Sequence, residues 1–403
     1  MLAPEGIVLG LGGTVDYEVR WDGAVIDRLA QDWGIQSSEL IDLPEITSER
    51  DLLISLIGFV HKGIGGERSV VDPDIIHSLA SRLSYQVTLG GTPVRAALVM
   101  AVRGILATVH LVSTNDETRT LLPRGTRSIS SATGDTLFPH LIVQYPQGAT
   151  LELGDNTVKA TRANRLIYTH DPPNEELLLA PELGDALSRA RLFLISGLNI
   201  FKDETLLRER LAQLEHHCAN LTARTTVVYE DAGFHIPRFS QIVRDALLPF
   251  VDVYSMNEDE AQEYLGHSVD LGSGSDVQVM LESLHERIPA PHLMVHTHLW
   301  AALVGPEASK YASSLRAAVQ MASARYHFGD SLTLAQYDSV PTFAHNAVAG
   351  SVEDVLSSHY AAHRAFSPGF QLDTEIPTTI GLGDSFIGGF LAQRALEMDE
   401  ETL

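Results

Sequence analysis

The chain has 403 residues, 44% of them hydrophobic and 20% charged, a length that suits one large domain joined to a smaller one. Its net charge of −24 argues against nucleic acid or an anionic membrane surface as a partner, and the single Cys218 excludes an intrachain disulfide or a cysteine metal cluster. No apolar run approaches the ~20 residues of a membrane span, and no basic region precedes an apolar segment near the start, so a cytoplasmic protein, monomeric or a small homo-oligomer, is expected.

In chain order, Ile7 to Leu9 reads as a short buried strand that enters the glycine-rich turn Gly10 to Gly13 and reaches Asp16. Leu52 to Phe59 has helical apolar spacing and leads into a glycine-rich turn ending at Glu67. Gly90-Gly91-Thr92 stands ahead of an apolar helix from Val94 to Leu106, a second strand-turn-helix unit with glycines at its mouth. His110 to Val112 is a short strand, and Thr118 to Arg127 a polar, basic loop. Leu141 to Leu151 and Val158 to Thr169 alternate apolar and polar residues about a Gly-Asp-Asn turn, the pattern of a β-meander. Leu192 to Leu198 is nearly continuous in apolar residues, as a central parallel strand requires, and a helix from Glu204 to Cys218 follows.

Val227 to Gly233 is the next strand, with Glu230 and Asp231 at its carboxyl end, where ligands bind in open α/β sheets. After the strand that starts near Phe250, Asn257 and Glu260 stand three apart on the face of a new helix and can address one water or metal. Leu293 to Trp300 reads as the last core strand; His296 and His298 share one of its faces, with no third ligand at a recognisable spacing. Helices are expected at Ala312 to Arg325 and Ser351 to Arg364, with no strand assigned between them. The sum is an α/β protein: a doubly wound, mostly parallel sheet with helices on both faces, plus a smaller, discontinuous β-rich lid. The boundaries expected are 1–15, 70–135 and 176–403 for the large domain, and 16–69 and 136–175 for the lid.

The chemistry concentrates in Gly381-Leu382-Gly383-Asp384, a tight glycine turn feeding a helix. The free N–H groups of such an end attract an anion, and the glycines let the backbone approach a phosphate. A carboxylate at that mouth, Asp384, can accept a proton from a substrate hydroxyl, as phosphoryl transfer to an alcohol needs.

This stretch resembles the terminal signature of the ribokinase-like superfamily, and ordered matches from Gly10 to Phe390 resemble one branch, the ADP-dependent glucokinase/phosphofructokinase family. The resemblance implies ADP as phosphoryl donor, Mg²⁺, a sugar acceptor and Asp384 as general base. It implies that Asp16, Glu67, Gly90, Gly91 and Thr92 hold the sugar, and that Gly381, Leu382, Gly383, Asn257, His296 and Thr297 line the nucleotide site. Glu230, Glu260 and Asp384 are the implied residues around Mg²⁺, an ion that keeps several waters and so suits carboxylates acting through them. Glu67 matches a residue that favours glucose over fructose 6-phosphate in the family. The stretches around Tyr145 and Asn164 resemble lid strands, with Arg162 and Arg165 the nearest cations for an anionic group; Arg119 and Arg124 are the other candidates. The chain departs from the family at Gly12, Thr14, Thr92 and Val228. An ATP-dependent sugar or nucleoside kinase and a non-catalytic nucleotide- or sugar-binding homologue therefore stay open beside the ADP-dependent kinase.

Overall fold

The computed structural model describes residues 4–41, 43, 45–374 and 378–400. Sixteen strands are present among them. The first ten are β1 (Ile7–Leu9), β2 (Thr14–Val19), β3 (Gly66–Ser69), β4 (Tyr85–Gly90), β5 (Thr108–Leu111), β6 (Arg127–Ser130), β7 (His140–Tyr145), β8 (Thr150–Glu152), β9 (Thr157–Lys159) and β10 (Asn164–Thr169). The rest are β11 (Leu192–Ile195), β12 (Thr226–Glu230), β13 (Val253–Asn257), β14 (His292–His296), β15 (Trp300–Val304) and β16 (Arg364–Pro368).

Nine of them form one sheet in the order β16-β15-β14-β13-β12-β11-β1-β5-β6. From β14 to β6 every pair is parallel. β1, β11 and β14 are buried throughout, because helices cover both faces and leave no side for polar residues. β15 and β16 add antiparallel to β14, so Leu293 to Trp300 is not the end of the sheet. The sequence hides β15 because it follows β14 after a three-residue turn and continues the same apolar run.

A second sheet has the order β3-β10-β7-β2-β4, and β8 and β9 make a separate hairpin. β4 lies in the segment 70–135 expected for the large domain, yet it pairs antiparallel with β2 along its whole length, from Val19↔Tyr85 to Thr14↔Gly90. The chain leaves this sheet at Gly90 and begins the helix Thr92–Val102 two residues later, so the joint between the two sheets is the Gly-Gly turn itself. The loop expected at Thr118 to Arg127 is instead partly a helix, Asp116–Leu121, capped by the Asn115 side chain. The helix expected at Glu204 to Cys218 is found over those residues, with Asp203 accepting from the Leu206 amide at 2.8 Å.

The last helix, Leu382–Glu400, is buried along most of its first three turns between the helices Thr92–Val102 and Ala312–Phe328. Two adjacent glycines allow this. A Cβ on Gly388 would stand 2.4 Å from Val99 Cγ2 and 3.0 Å from the Ala96 carbonyl, while one on Gly389 would stand 2.6 Å from Met321 Cβ and 2.7 Å from the Ala317 carbonyl. The helix is thus pressed on both flanks, and its N-terminus is held at the carboxyl ends of the sheet strands. Gly388→Ala and Gly389→Ala should each lower stability by roughly 1–3 kcal/mol, the usual cost of overpacking. Urea unfolding followed by far-ultraviolet circular dichroism would measure the loss.

Candidate active site

Asn257 pairs with His296, while Glu230 pairs with Ser255, two residues short of Asn257. Glu230, Asn257 and His296 are the final residues of β12, β13 and β14, so one edge of the sheet presents all three. Asn257 is also the N-cap of the helix Glu258–Leu265: its Oδ1 accepts from the Asp259 and Glu260 amides, and Glu260 accepts from the Asn257 amide and side chain in return. His296 Nε2 lies 3.0 Å from Glu230 Oε1, and its ring stacks on Phe386 with centroids 4.4 Å apart. Phe386 belongs to the C-terminal helix, which brings Gly383 to the same place: a Cβ there would be 3.6 Å from His296 and 3.8 Å from Glu230. Thr297 closes the turn after β14 through its hydroxyl, which bonds the Leu299 and Trp300 amides and the Trp300 carbonyl. His298 turns away to pair with Glu258 at 2.9 Å.

Two features of this edge bear on a cation. Glu230 Oε2 is buried with no hydrogen-bond partner among the described residues. Glu260 is pushed up to about 9 by burial and by the neighbouring Glu230 and Asp231 carboxylates, against the lowering effect of the Asn257 donors. Behind them, Asp231 accepts from the hydroxyls of Tyr229, Tyr254 and Tyr264 at 3.0, 2.9 and 2.6 Å. Among the described residues no three His, Cys, Asp or Glu side chains converge to grip an ion directly. Glu230, Glu260 and Asp384 are therefore not a ready-made inner coordination shell, and the donor set fits an ion reached through water.

The other side of the helix mouth faces the five-stranded sheet. Asp384 Oδ2 lies 3.9 Å from Nε of Arg95, a residue on the helix Thr92–Val102. Arg95 is 4% exposed, and its Nη2 donates to Asp16 Oδ2 at 2.8 Å and to Glu18 Oε1 at 3.1 Å. Burial works against its charge, but Asp16, Asp384 and Glu18 outweigh that and hold it firmly protonated. Gly381, at φ +65°, lies against the same side chain, since a Cβ on it would be 2.7 Å from Arg95 Cδ. Asp16 is also buried and its second oxygen accepts from Thr14 Oγ1 at 2.7 Å. Gly90 has to be glycine here: a Cβ would meet both Asp16 Oδ2 and Thr14 Oγ1 at 2.3 Å. Gly91, at φ +82°, passes within a hypothetical 2.9 Å of Gly13 Cα, and Thr92, half-buried, starts the helix.

Glu67 stands at the far end of this crevice on β3, 3.3 Å from His235 Nε2. Burial favours its neutral form, but His235, with His140 and Lys202 further off, holds it below the usual carboxylate range. His140 pairs with Asp171 at 3.0 Å, and Asp171 in turn accepts from Asn174, whose amide is bonded to both the N–H and the carbonyl of Gly13. Of the arginines singled out from the sequence, Arg165 reaches across to the Thr379 carbonyl at 3.2 Å, and Arg119 is engaged by Asp116 and Asp135 on the surface. Arg95, His140, Lys202 and His235 escaped the sequence reading. Only Arg95 left a signal there, as a lone cation inside the apolar run Val94 to Met100.

Three comparisons place the chain among known proteins. The conserved region described as ADP-specific phosphofructokinase/glucokinase matches residues 5–328. No curated protein sequence matches. Among solved structures, a hypothetical ADP-dependent phosphofructokinase from Pyrococcus horikoshii OT3 is similar at 17% identity and TM-score 0.76, over 99% of this chain and 100% of that one. A phosphofructokinase from the same organism with AMP is similar at 16% identity and TM-score 0.77, with the same coverage. An ADP-dependent kinase in complex with fructose-6-phosphate and ADPβS is similar at 14% identity and TM-score 0.69, over 96% of this chain and 93% of that one. At these identities the structures speak for a shared fold, which runs through residues 329–400, beyond the matched region.

His140 offers a direct test of the crevice electrostatics. Burial lowers its pKa, the Asp171 hydrogen bond and charge raise it more, and it is left at about 9. A raised imidazole stabilises the fold fully below its unfolded value of about 6.5, and the gain is lost as pH rises through about 9. Asp171→Asn should therefore cost about 1–3 kcal/mol near pH 6 and little above pH 9. Chemical denaturation across that range checks the stability difference, and histidine NMR checks that the imidazole pKa falls.

Proposed function

Because the chain belongs to the ADP-specific phosphofructokinase/glucokinase family, an ADP-dependent sugar-kinase family, we propose that it moves the terminal phosphate of ADP to a hexose hydroxyl at the mouth of its C-terminal helix, with Asp384 as general base. The observation that carries this reading is the position of that helix start. Gly383 touches the Glu230–His296 pair on one flank, and Asp384 faces Arg95 and, through it, Asp16 on the other.

The N–H groups of Leu382, Gly383 and Asp384 have no partner one turn earlier and would take the charge that builds on the phosphoryl oxygens. Asp384 would receive the hydroxyl proton. The nucleotide would lie along the strand ends Asn257 and His296, with Thr297 beyond. Mg²⁺ would be held through Glu230 and Glu260, where the unpartnered Glu230 Oε2 and the crowding of the two carboxyl groups favour a cation; it would supply positive charge for the phosphate oxygens.

For the acceptor, we favour fructose 6-phosphate over glucose. One oxygen of Glu67 is paired with His235, and both oxygens of Asp16 already accept, from Thr14 and Arg95, which leaves each carboxylate with less capacity for the hydroxyls of a neutral sugar. His235, His140 and Lys202 can instead exchange an acid partner for a phosphate. ADP presented with glucose and with fructose 6-phosphate, assayed for phosphorylated product, decides the point; a higher kcat/KM for glucose would reverse the preference.

Asp384→Asn should lower kcat by at least ~10²-fold while the affinity for ADP changes little. A variant with full turnover removes Asp384 from the role of base. The cation reading has its own test. Glu260, neutral at moderate pH and raised to about 9, costs stability as pH rises from about 4.5 to about 9. Millimolar Mg²⁺ should accordingly raise Tm more at pH 8 than at pH 6, and Glu260→Gln should raise Tm at pH 8 without Mg²⁺ and shrink the response to it.

A further inference from the structure

No step above uses the charge of Arg95 itself. It is nevertheless a buried cation at the joint of the two sheets, one turn into the helix that starts from Gly90-Gly91. Three of its four described ion pairs come from two bodies. Asp16 and Glu18 belong to β2 in the five-stranded sheet; Asp384 and the underlying Gly381 belong to the loop and helix that meet the phosphates. Its Nη1 has no hydrogen-bond partner among the described residues and lies 4.0 Å from Asp330 Oδ1, an acid already bonded to the buried Arg325, whose Nε holds the Ile380 carbonyl at 3.1 Å. The loop before Gly381 is thus clasped by the guanidinium of Arg325, and Asp384 beyond it is addressed by that of Arg95.

Stability does not account for such a residue. An ion taken out of water loses several kcal/mol of hydration, and a well-packed apolar side chain in the same place is commonly neutral or better. Val94, Ala96 and Ala97 around it show that the helix face is otherwise apolar. What an arginine supplies and an apolar residue cannot is a planar fork that fixes several carboxylates relative to one another.

We propose that Arg95 is a positioning residue for phosphoryl transfer: it fixes the Asp384 carboxylate relative to Asp16 and the five-stranded sheet, so that base and acceptor site are aligned as one unit. The inference rests on the reading of Asp384 as base. It predicts a loss confined to turnover, since displacing a reacting group by about 1 Å can cost ~10²-fold. ADP binding, supported from the opposite flank, is left in place.

The test measures ADP-dependent transfer to fructose 6-phosphate and glucose by the wild type, Arg95→Met, Arg95→Lys, Asp384→Asn and the double variant Arg95→Met/Asp384→Asn. Wild-type transfer judges the functional reading; the ratio of variant to wild type judges this one, so the two fail separately. Arg95→Met is expected to lose ~10²-fold in kcat with KM for ADP within about threefold, and Arg95→Lys to recover part of the loss. In the Asp384→Asn background the same Met substitution should change kcat less than about threefold, because a residue that acts through the base has nothing left to position. A purely structural arginine would instead multiply the two losses, and that result, or an Arg95→Met enzyme within threefold of wild-type kcat, overturns the proposal. Should melting curves show Arg95→Met unfolded, Arg95→Lys and Glu18→Gln carry the same comparison, with undiminished kcat in both counting against it.

Discussion

A cation enclosed where two sheets meet has to be met by carboxylates, and the crevice of this protein is laid out around how Arg95 is met. Asp16 and Glu18 come from β2, Asp384 comes from the last helix, and the arginine spans the gap between them. The glycines at the site follow from the same constraint. Gly90 leaves room for Asp16 and Thr14, and Gly381 leaves room for the arginine's aliphatic stem, with a positive φ that suits no larger residue. A motif that looks like a phosphate loop in the sequence is therefore, in the fold, also the lid on a buried ion.

The opposite flank obeys a different rule. There Glu230 keeps an oxygen unpartnered among the described residues, Glu260 is crowded toward its neutral form, and Asp231 is satisfied by three tyrosine hydroxyls and the Ala232 amide. On one side of the helix mouth the carboxylates are gathered on a buried arginine, and the other side has an unpartnered carboxylate oxygen. This asymmetry suits a reaction in which a charged phosphoryl group crosses from a nucleotide bound with a metal to an acceptor held by protein groups.

Much of this was legible in the residues. Strands buried on both faces announce themselves as apolar runs, and Glu230 at a strand's carboxyl end and Asn257 at the start of a helix stand in the fold where the pattern puts them, whereas His296 was assigned to a nucleotide site by the family resemblance alone. What escaped has common physical causes. β15 continues the apolar run of β14, and β16 lies some sixty residues further on, so only tertiary pairing reveals them as strands. β4 reads as part of the large domain from its position, but its partner is β2, about seventy residues earlier. His140, Lys202 and His235 are unremarkable residues of three separate segments that become a group around Glu67 only when the sheets fold together. Arg95 escaped although it stands as a lone ion in an apolar helix, because its pairing with Asp16 and Asp384 appears only in the fold.

The paired glycines of the C-terminal helix have a consequence for how such an enzyme can diverge. With Gly388 and Gly389 clamped at less than the clearance of a methyl group, that rod has neither slide nor roll available to it, and its mouth is an anvil of fixed height. On the proposed reading, novelty in what is phosphorylated would then come from the opposing jaw, at side chains such as Glu67 and His140 and not at Gly90, which has no room for one.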